Sequence, residues 1–248
     1  MAKEKKENKS LKEREEKVRK ENEKEEKVKE IPKIKLKERQ NKQLIWALTL
    51  MILVILIIIF VPIFIRNFID SFSYSGLKFQ KTKMGELMFY STRIPLLDKD
   101  GNSIGTYAMN FRNDPRKLNY IGKEIDNNVS FLRKNTVLVS VQGDAPICED
   151  NLIAVAALTD FLRNFGALNV KGAMSDAKSA NESGFPYVTC ENSTYNTVIM
   201  IKSGNESIIK KNYKNCYEIQ YKDCEINQAV EKFILIIIEN YMSYIKGK

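Results

Sequence analysis

The spacing of apolar and polar positions divides the chain into three stretches. In residues 3–30 Lys, Glu, Arg and Asn dominate, and Leu11, Val18 and Val28 are the only large apolar residues. From Leu44 to Ile65 the pattern inverts, and 22 consecutive residues carry no charge. Beyond residue 66 apolar positions recur with the periods of strands and helices.

In that last stretch, "LMFYSTRIPLL" (87–97) alternates, placing Met88, Tyr90, Thr92, Ile94 and Leu96 on one face. "SIGTYAMNFRN" (103–113) follows across the turn cluster "DKDGN", which predicts a hairpin. "TVLVSVQ" (136–142) then reads as a short buried strand. Residues 150–165 are apolar almost all round, through Leu152, Val155, Ala156, Leu158, Phe161, Leu162 and Phe165, and stop at Gly166. "NVKGAMS" (169–175) is the next strand, so strand, helix and strand form a βαβ unit with parallel strands. After a polar loop, "SDAKSANESGFP", come strands at 196–204, 207–212 and 216–221. A final helix, 225–246, carries Val230, Phe233, Ile234, Ile237, Ile238, Tyr241 and Tyr244 and should pack on the sheet. The predicted fold class is α/β, with α+β as the alternative: a hairpin and a mixed sheet flanked by two helices.

The uncharged run is long enough to matter on its own. At about 1.5 Å per residue it covers roughly 33 Å, against about 30 Å for a bilayer's hydrocarbon core. Trp46 stands near one end, where an amphipathic ring favours the headgroup level. A cleavable leader would need a shorter core and a small-residue cleavage site, and "IRNFIDSF" offers none. Residues 44–65 therefore read as a transmembrane signal-anchor, 1–43 as a cytoplasmic tail and 66–248 as an extracytoplasmic domain. The orientation follows from Lys33, Lys35, Lys37, Arg39 and Lys42 on the N-terminal side, opposed by Arg66 alone. The predicted location is the cell membrane.

Charge is concentrated in the tail. Residues 1–43 hold 17 Lys and Arg against 11 Glu, while the whole chain holds 40 against 31. The basic balance is thus no evidence for a nucleic-acid face on the domain, and no specific nucleic-acid partner is expected. Three apolar residues cannot supply the repeats of a coiled coil, so the tail reads as a solvated, mostly disordered arm. The five basic residues nearest the span are the candidates for contact with anionic lipid.

The chemistry begins with an absence, since the chain has no histidine. Ser-His-Asp and Cys-His nucleophile pairs and most zinc sites are excluded. Asp98, Asp100 and Asn102 mimic the start of a calcium loop, but Ser103 and Met109 stand where Gly and Glu are needed. The turn before the 150–165 helix holds one glycine, Gly143, and Glu149 and Asp150 there would repel phosphate; they read as capping and dipole partners. Ser, Lys and Asp are too abundant for any catalytic pair to stand out. No catalytic, cofactor-binding or metal residue is assigned.

Cys148, at the strand-to-helix turn, is either a nucleophile or half of a disulfide. All four cysteines, Cys148, Cys190, Cys216 and Cys224, follow the span, and a thiolate at Cys148 would sit beside two carboxylates. The disulfide reading is preferred. Cys148 and Cys224 each lie between a strand and the following helix, whereas Cys190 and Cys216 each precede a strand. The expected pairs are Cys148–Cys224 and Cys190–Cys216. Glycosylation acceptor patterns stand at Asn128, Asn181, Asn192 and Asn205.

"FRNDPRKLNYI", "VTCENSTYNTVIMIKSGNESI" and "CYEIQYKDCEINQAVEKFIL" resemble a group of uncharacterised archaeal single-pass membrane proteins. That resemblance implies no activity and no site residues. The function expected is a membrane-anchored binding or assembly module with a protein partner outside. The alternative is a hydrolase-like ectoenzyme using the carboxyl edge of the sheet, near Asp144, Glu149 and Asp223, where open α/β sheets bind ligands.

Overall fold

The computed structural model describes Arg19 and residues 41–65, 70–98, 100–125, 129–132 and 136–246. The chain divides into two compact units, Met1–Ile65 and Arg66–Lys248. In the first, helix α1 (Asn41–Phe64) runs for 24 residues and is long and apolar enough to cross a membrane. Its side chains are exposed along its whole length, unlike those of a core helix.

The second unit is a mixed α/β domain with two sheets. The first is an antiparallel meander in the order β1-β2-β3-β4: β1 (Ser71–Tyr74), β2 (Leu77–Met84), β3 (Leu87–Leu97) and β4 (Ser103–Phe111). The alternation in 87–113 predicts β3 and β4. Strands β1 and β2 are an addition, joined by Ser75 and Gly76, which both hold positive φ as a type I′ hairpin turn requires. Their signal is diluted because Lys78, Lys81 and Lys83 fall among the apolar positions of β2.

The second sheet has the order β5-β9-β10-β8-β6-β7, comprising β5 (Gly122–Glu124), β6 (Thr136–Val141), β7 (Asn169–Met174), β8 (Thr197–Ser203), β9 (Ile208–Tyr213) and β10 (Cys216–Tyr221). Strands β10, β8, β6 and β7 are mutually parallel, and β9 runs antiparallel to β10. Period-two alternation splits the residues of this sheet into two clusters. Val137, Val139, Ile199, Ile201, Tyr217 and Ile219 join the main core, while Leu138, Val198, Met200 and Cys216 form a smaller one behind.

Helices α2 (Asn151–Asn164) and α4 (Ile226–Lys246) pack on each other and on the main-core face. The same core contains Phe79, Ile94 and Phe111 of the first sheet, so the two helices form a layer between the sheets. This explains why α4 is apolar nearly all round: Ile234, Leu235, Ile236 and Ile238 are all buried, which one sheet alone would not require. Tyr107 of β4 packs 6.0 Å from Phe161 of α2, and the Tyr241 hydroxyl of α4 donates to Pro95 O at 2.9 Å.

One expectation needs correction, and one helix stop, borne out at Gly166, works by other means. The polar loop after β7 contains helix α3 (Ala177–Ser183), capped by Asp176, which accepts the Ser179 N–H at 2.8 Å, and closed by Gly184 at φ +73°. Five polar residues and two alanines hide a helix, because the single buried residue, Ala180, supplies no periodicity and only the caps mark it. At the end of α2, Ala167 rather than Gly166 takes the positive φ. Gly166 is required for space instead, because a Cβ there would lie 2.7 Å from Leu162 O.

Candidate functional site

The parallel strands β8, β6 and β7 lie side by side, and the chain passes from them to β9, α2 and α3 respectively. Between these exits lies a crevice of about 600 Å³. It is lined after β6 by Gln142 and Asp144, after β7 by Ser175 and Asp176, and along and after β8 by Met200, Lys202, Ser203, Gly204 and Asn205. Gln220 of β10 completes it. This is the position at which open α/β sheets offer strand-end backbone and loop side chains to a ligand.

Its walls are held by hydrogen bonds. Gln142 N donates to Ile201 O at 3.0 Å, and Ser203 N donates to the Gln142 side-chain oxygen at 3.0 Å. The Gln142 amide then donates to Asp144 Oδ1 at 2.8 Å, so this one side chain ties the β6 and β8 exits together and orients the carboxylate. The Gly143 N–H donates to Asp176 Oδ2 at 2.8 Å. A Cβ at Gly143 would lie 2.0 Å from Ser179 Oγ, so the single glycine of this turn serves the close approach of α3. It is not a phosphate cradle.

The charges are largely spoken for. Lys202 Nζ lies 2.7 Å from Glu218 Oε1, and Asn212 donates to the other Glu218 oxygen at 2.6 Å. Buried Glu218 thus neutralises the one lysine of the crevice. The Ser179 hydroxyl and the N–H groups of Ser179 and Gly143 hold the Asp176 carboxyl below the usual carboxylate range. Asp144 Oδ2 has no hydrogen-bond partner among the described residues and faces outward with Asn205. The arrangement presents amides, hydroxyls and one available carboxylate, which suits a polar ligand rich in donors.

Of the three acids expected at this edge, only Asp144 lines the crevice. Glu149 and Asp223 lie beside the two cysteines of the neighbouring loops. Asp150 occupies the N-cap position of α2 without a side-chain capping bond and pairs with Arg112 instead, which replaces its expected capping role. Gln142, Ser175, Lys202, Ser203 and Gln220 carry no motif; Gln142, Ser175 and Ser203 stand at or just beyond strand ends, and Lys202 and Gln220 lie within β8 and β10, one residue before each strand ends.

The structure brings Cys148 to Cys224, with Cα atoms 5.6 Å apart, and Cys190 to Cys216, 5.4 Å apart. The first bridge joins the β6–α2 loop to the β10–α4 turn, and the second joins the start of β10 to the turn before β8. Asn181 is exposed on α3, and Asn205 is exposed at the crevice. Asn192 uses its side-chain oxygen to accept the Thr189 N–H at 2.9 Å. Asn128, Lys33, Lys35, Lys37 and Arg39 lie outside the described residues, whereas Lys42 is exposed in the first turn of α1. Among the described residues no group of three or more His, Cys, Asp or Glu is placed to hold a metal ion.

No protein-family model matches the chain, and no curated protein or solved structure matches it either.

Proposed function

We propose that this protein is a single-span membrane protein whose C-terminal domain lies outside the cytoplasm and works as a binding module. The observation that carries the binding role is the polar crevice at the carboxyl edge of the six-stranded sheet, fixed by Gln142 and stocked with Asp144, Asn205 and Gln220. Its ligand is a small, uncharged or cationic molecule with several N–H or O–H donors. The ectoenzyme alternative would need a second titratable group facing Asp144, and both candidates are committed: Asp176 caps α3, and Lys202 pairs with Glu218. Binding through arranged amides fits these residues better than acid–base chemistry.

The test is a thermal-shift screen of the full-length chain in detergent micelles against neutral sugars, free amino acids and small amines. At least one class should raise the melting temperature. Asp144→Asn and Gln220→Ala should abolish that rise while leaving the melting temperature of the unliganded protein unchanged. A screen without any stabiliser, or stabilisation that survives both substitutions, overturns the assignment.

The orientation rests on Lys33, Lys35, Lys37, Arg39 and Lys42 before the span against Arg66 after it. Two disulfides in the second unit independently favour an oxidising compartment, where such bridges persist. Intact cells treated with a mild reductant and then an impermeant maleimide should label the cysteines. Labelling that appears only after the membrane is permeabilised would reverse the topology. The cytoplasmic tail, with its basic run against anionic lipid, completes the proposal.

A further inference from the structure

At one end of the meander two strands outrun their neighbours. Strand β1 starts at Ser71, opposite Gln80 of β2, and β4 stops at Phe111, opposite Tyr90 of β3. Past those pairs β2 and β3 continue alone, through Thr82↔Phe89, Lys83↔Met88 and Met84↔Leu87, to a turn at Gly85 and Glu86. Counted from Gln80 to Met84 at about 3.3 Å per residue, they form a finger roughly 13 Å long. Residues 83–88 are all exposed, and three are large and apolar: Met84 at 53%, Leu87 at 49% and Met88 at 43%. Met84 and Leu87 share one face of the ribbon and Met88 lies on the other, so the tip is apolar on both sides. A two-stranded ribbon is marginal in water, and apolar side chains gathered at its tip mark a contact surface.

We propose that this surface meets lipid: the finger docks by its tip in the headgroup region of the bilayer, an assignment that rests on α1 spanning that bilayer. The length of the connecting chain selects this occupant. Only residues 66–70 separate Ile65, the last residue of the first unit, from Ser71. Even fully extended, that link reaches about 22 Å. The finger projects from the end of the domain at which the chain enters. Strand β1 runs from Ser71 away from the tip, and the residue before it, Asp70, accepts the Lys81 N–H at 2.7 Å. A finger of about 13 Å is therefore within the reach of the link. Charge fits a shallow contact. The ammonium groups of Lys81 and Lys83, behind the apolar tip, have no acidic partner among the described residues and can stay at the phosphate level while their stems lie on apolar surface. Glu86, in the turn itself, opposes entry into the hydrocarbon core. Since the span already holds the chain in the membrane, the effective concentration of lipid at the tip is high, and three side chains suffice where an untethered domain would need a larger surface. The docking is the same whichever side of the membrane the domain occupies.

The experiment uses the full-length chain in vesicles of phosphatidylcholine and phosphatidylglycerol doped with a phosphatidylcholine that carries a photoreactive diazirine high on its acyl chain. After illumination and proteolysis, mass spectrometry should find lipid adducts in two places, α1 and residues 84–88. Adducts on α1 report the span, and adducts on the tip report the docking. Met84→Ser, Leu87→Ser and Met88→Ser together should cut the tip adducts about tenfold relative to those on α1, because the apolar contact is lost. The three side chains are exposed, so the variant should keep both disulfides by peptide mapping. Leu87→Ser alone should cut the same ratio by roughly threefold, which keeps the test open if the triple variant fails to fold. A tip free of adducts while α1 carries them, or tip adducts undiminished by the substitutions, overturns the docking. An α1 without adducts overturns the span and the docking together.

Discussion

Replacing Cys148 or Cys224 by Ser should lower the stability of the C-terminal domain by about 4 kcal/mol, the value expected from the chain entropy of a long closed loop. The two cysteines are 76 residues apart in sequence, and their bridge fastens two loops at the carboxyl end of the six-stranded sheet. The bridge between Cys190 and Cys216 closes only 26 residues, so its removal should cost roughly 3 kcal/mol in the same model. Urea denaturation of each variant, compared with the native protein under non-reducing conditions, measures both. A free, alkylatable Cys148 in protein isolated without reductant would contradict the bridge and restore the nucleophile reading.

Those bridges show what makes tertiary geometry legible in a sequence. Cys148 and Cys224 each sit between a strand and its helix, so both reach the same end of the sheet if β6 and β10 run parallel, and in the structure both run parallel to β8. Given that direction, the four residues sort into two pairs. The strand limits of β3, β4, β6 and β10 are similarly readable because one or both faces are buried and the apolar spacing follows. Helix α3 and strands β1 and β2 are not, since their polar residues face solvent and their caps and turn carry the signal. The three-layer arrangement was only half visible. An α4 apolar on every side declares burial on every side, but nothing in its residues says that the second cover is the meander.

The crevice was less legible still. Asp144 follows from its place after a strand of the sheet, yet Lys202 and Gln220 are interior strand residues whose faces depend on register. Gln142 gains its role from bonds to residues 61 positions away, which no local pattern encodes. Glu231 is the sharpest case. In the sequence it is one polar residue of a helix that is apolar nearly all round, and in the structure it is 3% exposed.

Stability should fall as pH rises from about 4.5 to about 7, because of that residue. Glu231 Oε2 accepts both the backbone and side-chain N–H groups of Asn113, at 3.0 and 2.9 Å, and Oε1 accepts the Arg112 N–H. Burial pushes its carboxyl up to about 7, and these donors only partly offset that shift. A folded-state pKa above the unfolded value means the folded protein binds the extra proton. Its stabilising contribution is therefore complete below the unfolded pKa and is lost as pH climbs through the folded one. At about 1.4 kcal/mol per pH unit the loss is on the order of 3 kcal/mol. The depressed carboxyls of Asp98, Asp114 and Asp176 act in the opposite direction and at lower pH, so they do not mask it. Glu231→Gln should flatten the dependence between pH 5 and 7.5. Glu231→Ala should destabilise the domain at every pH by about 3 kcal/mol, since three part-buried donors lose their acceptor. Chemical denaturation across that range decides it. A native protein whose stability is level or rising from pH 5 to 7.5, or a Gln variant with the native slope, would show that Glu231 is not the titrating group.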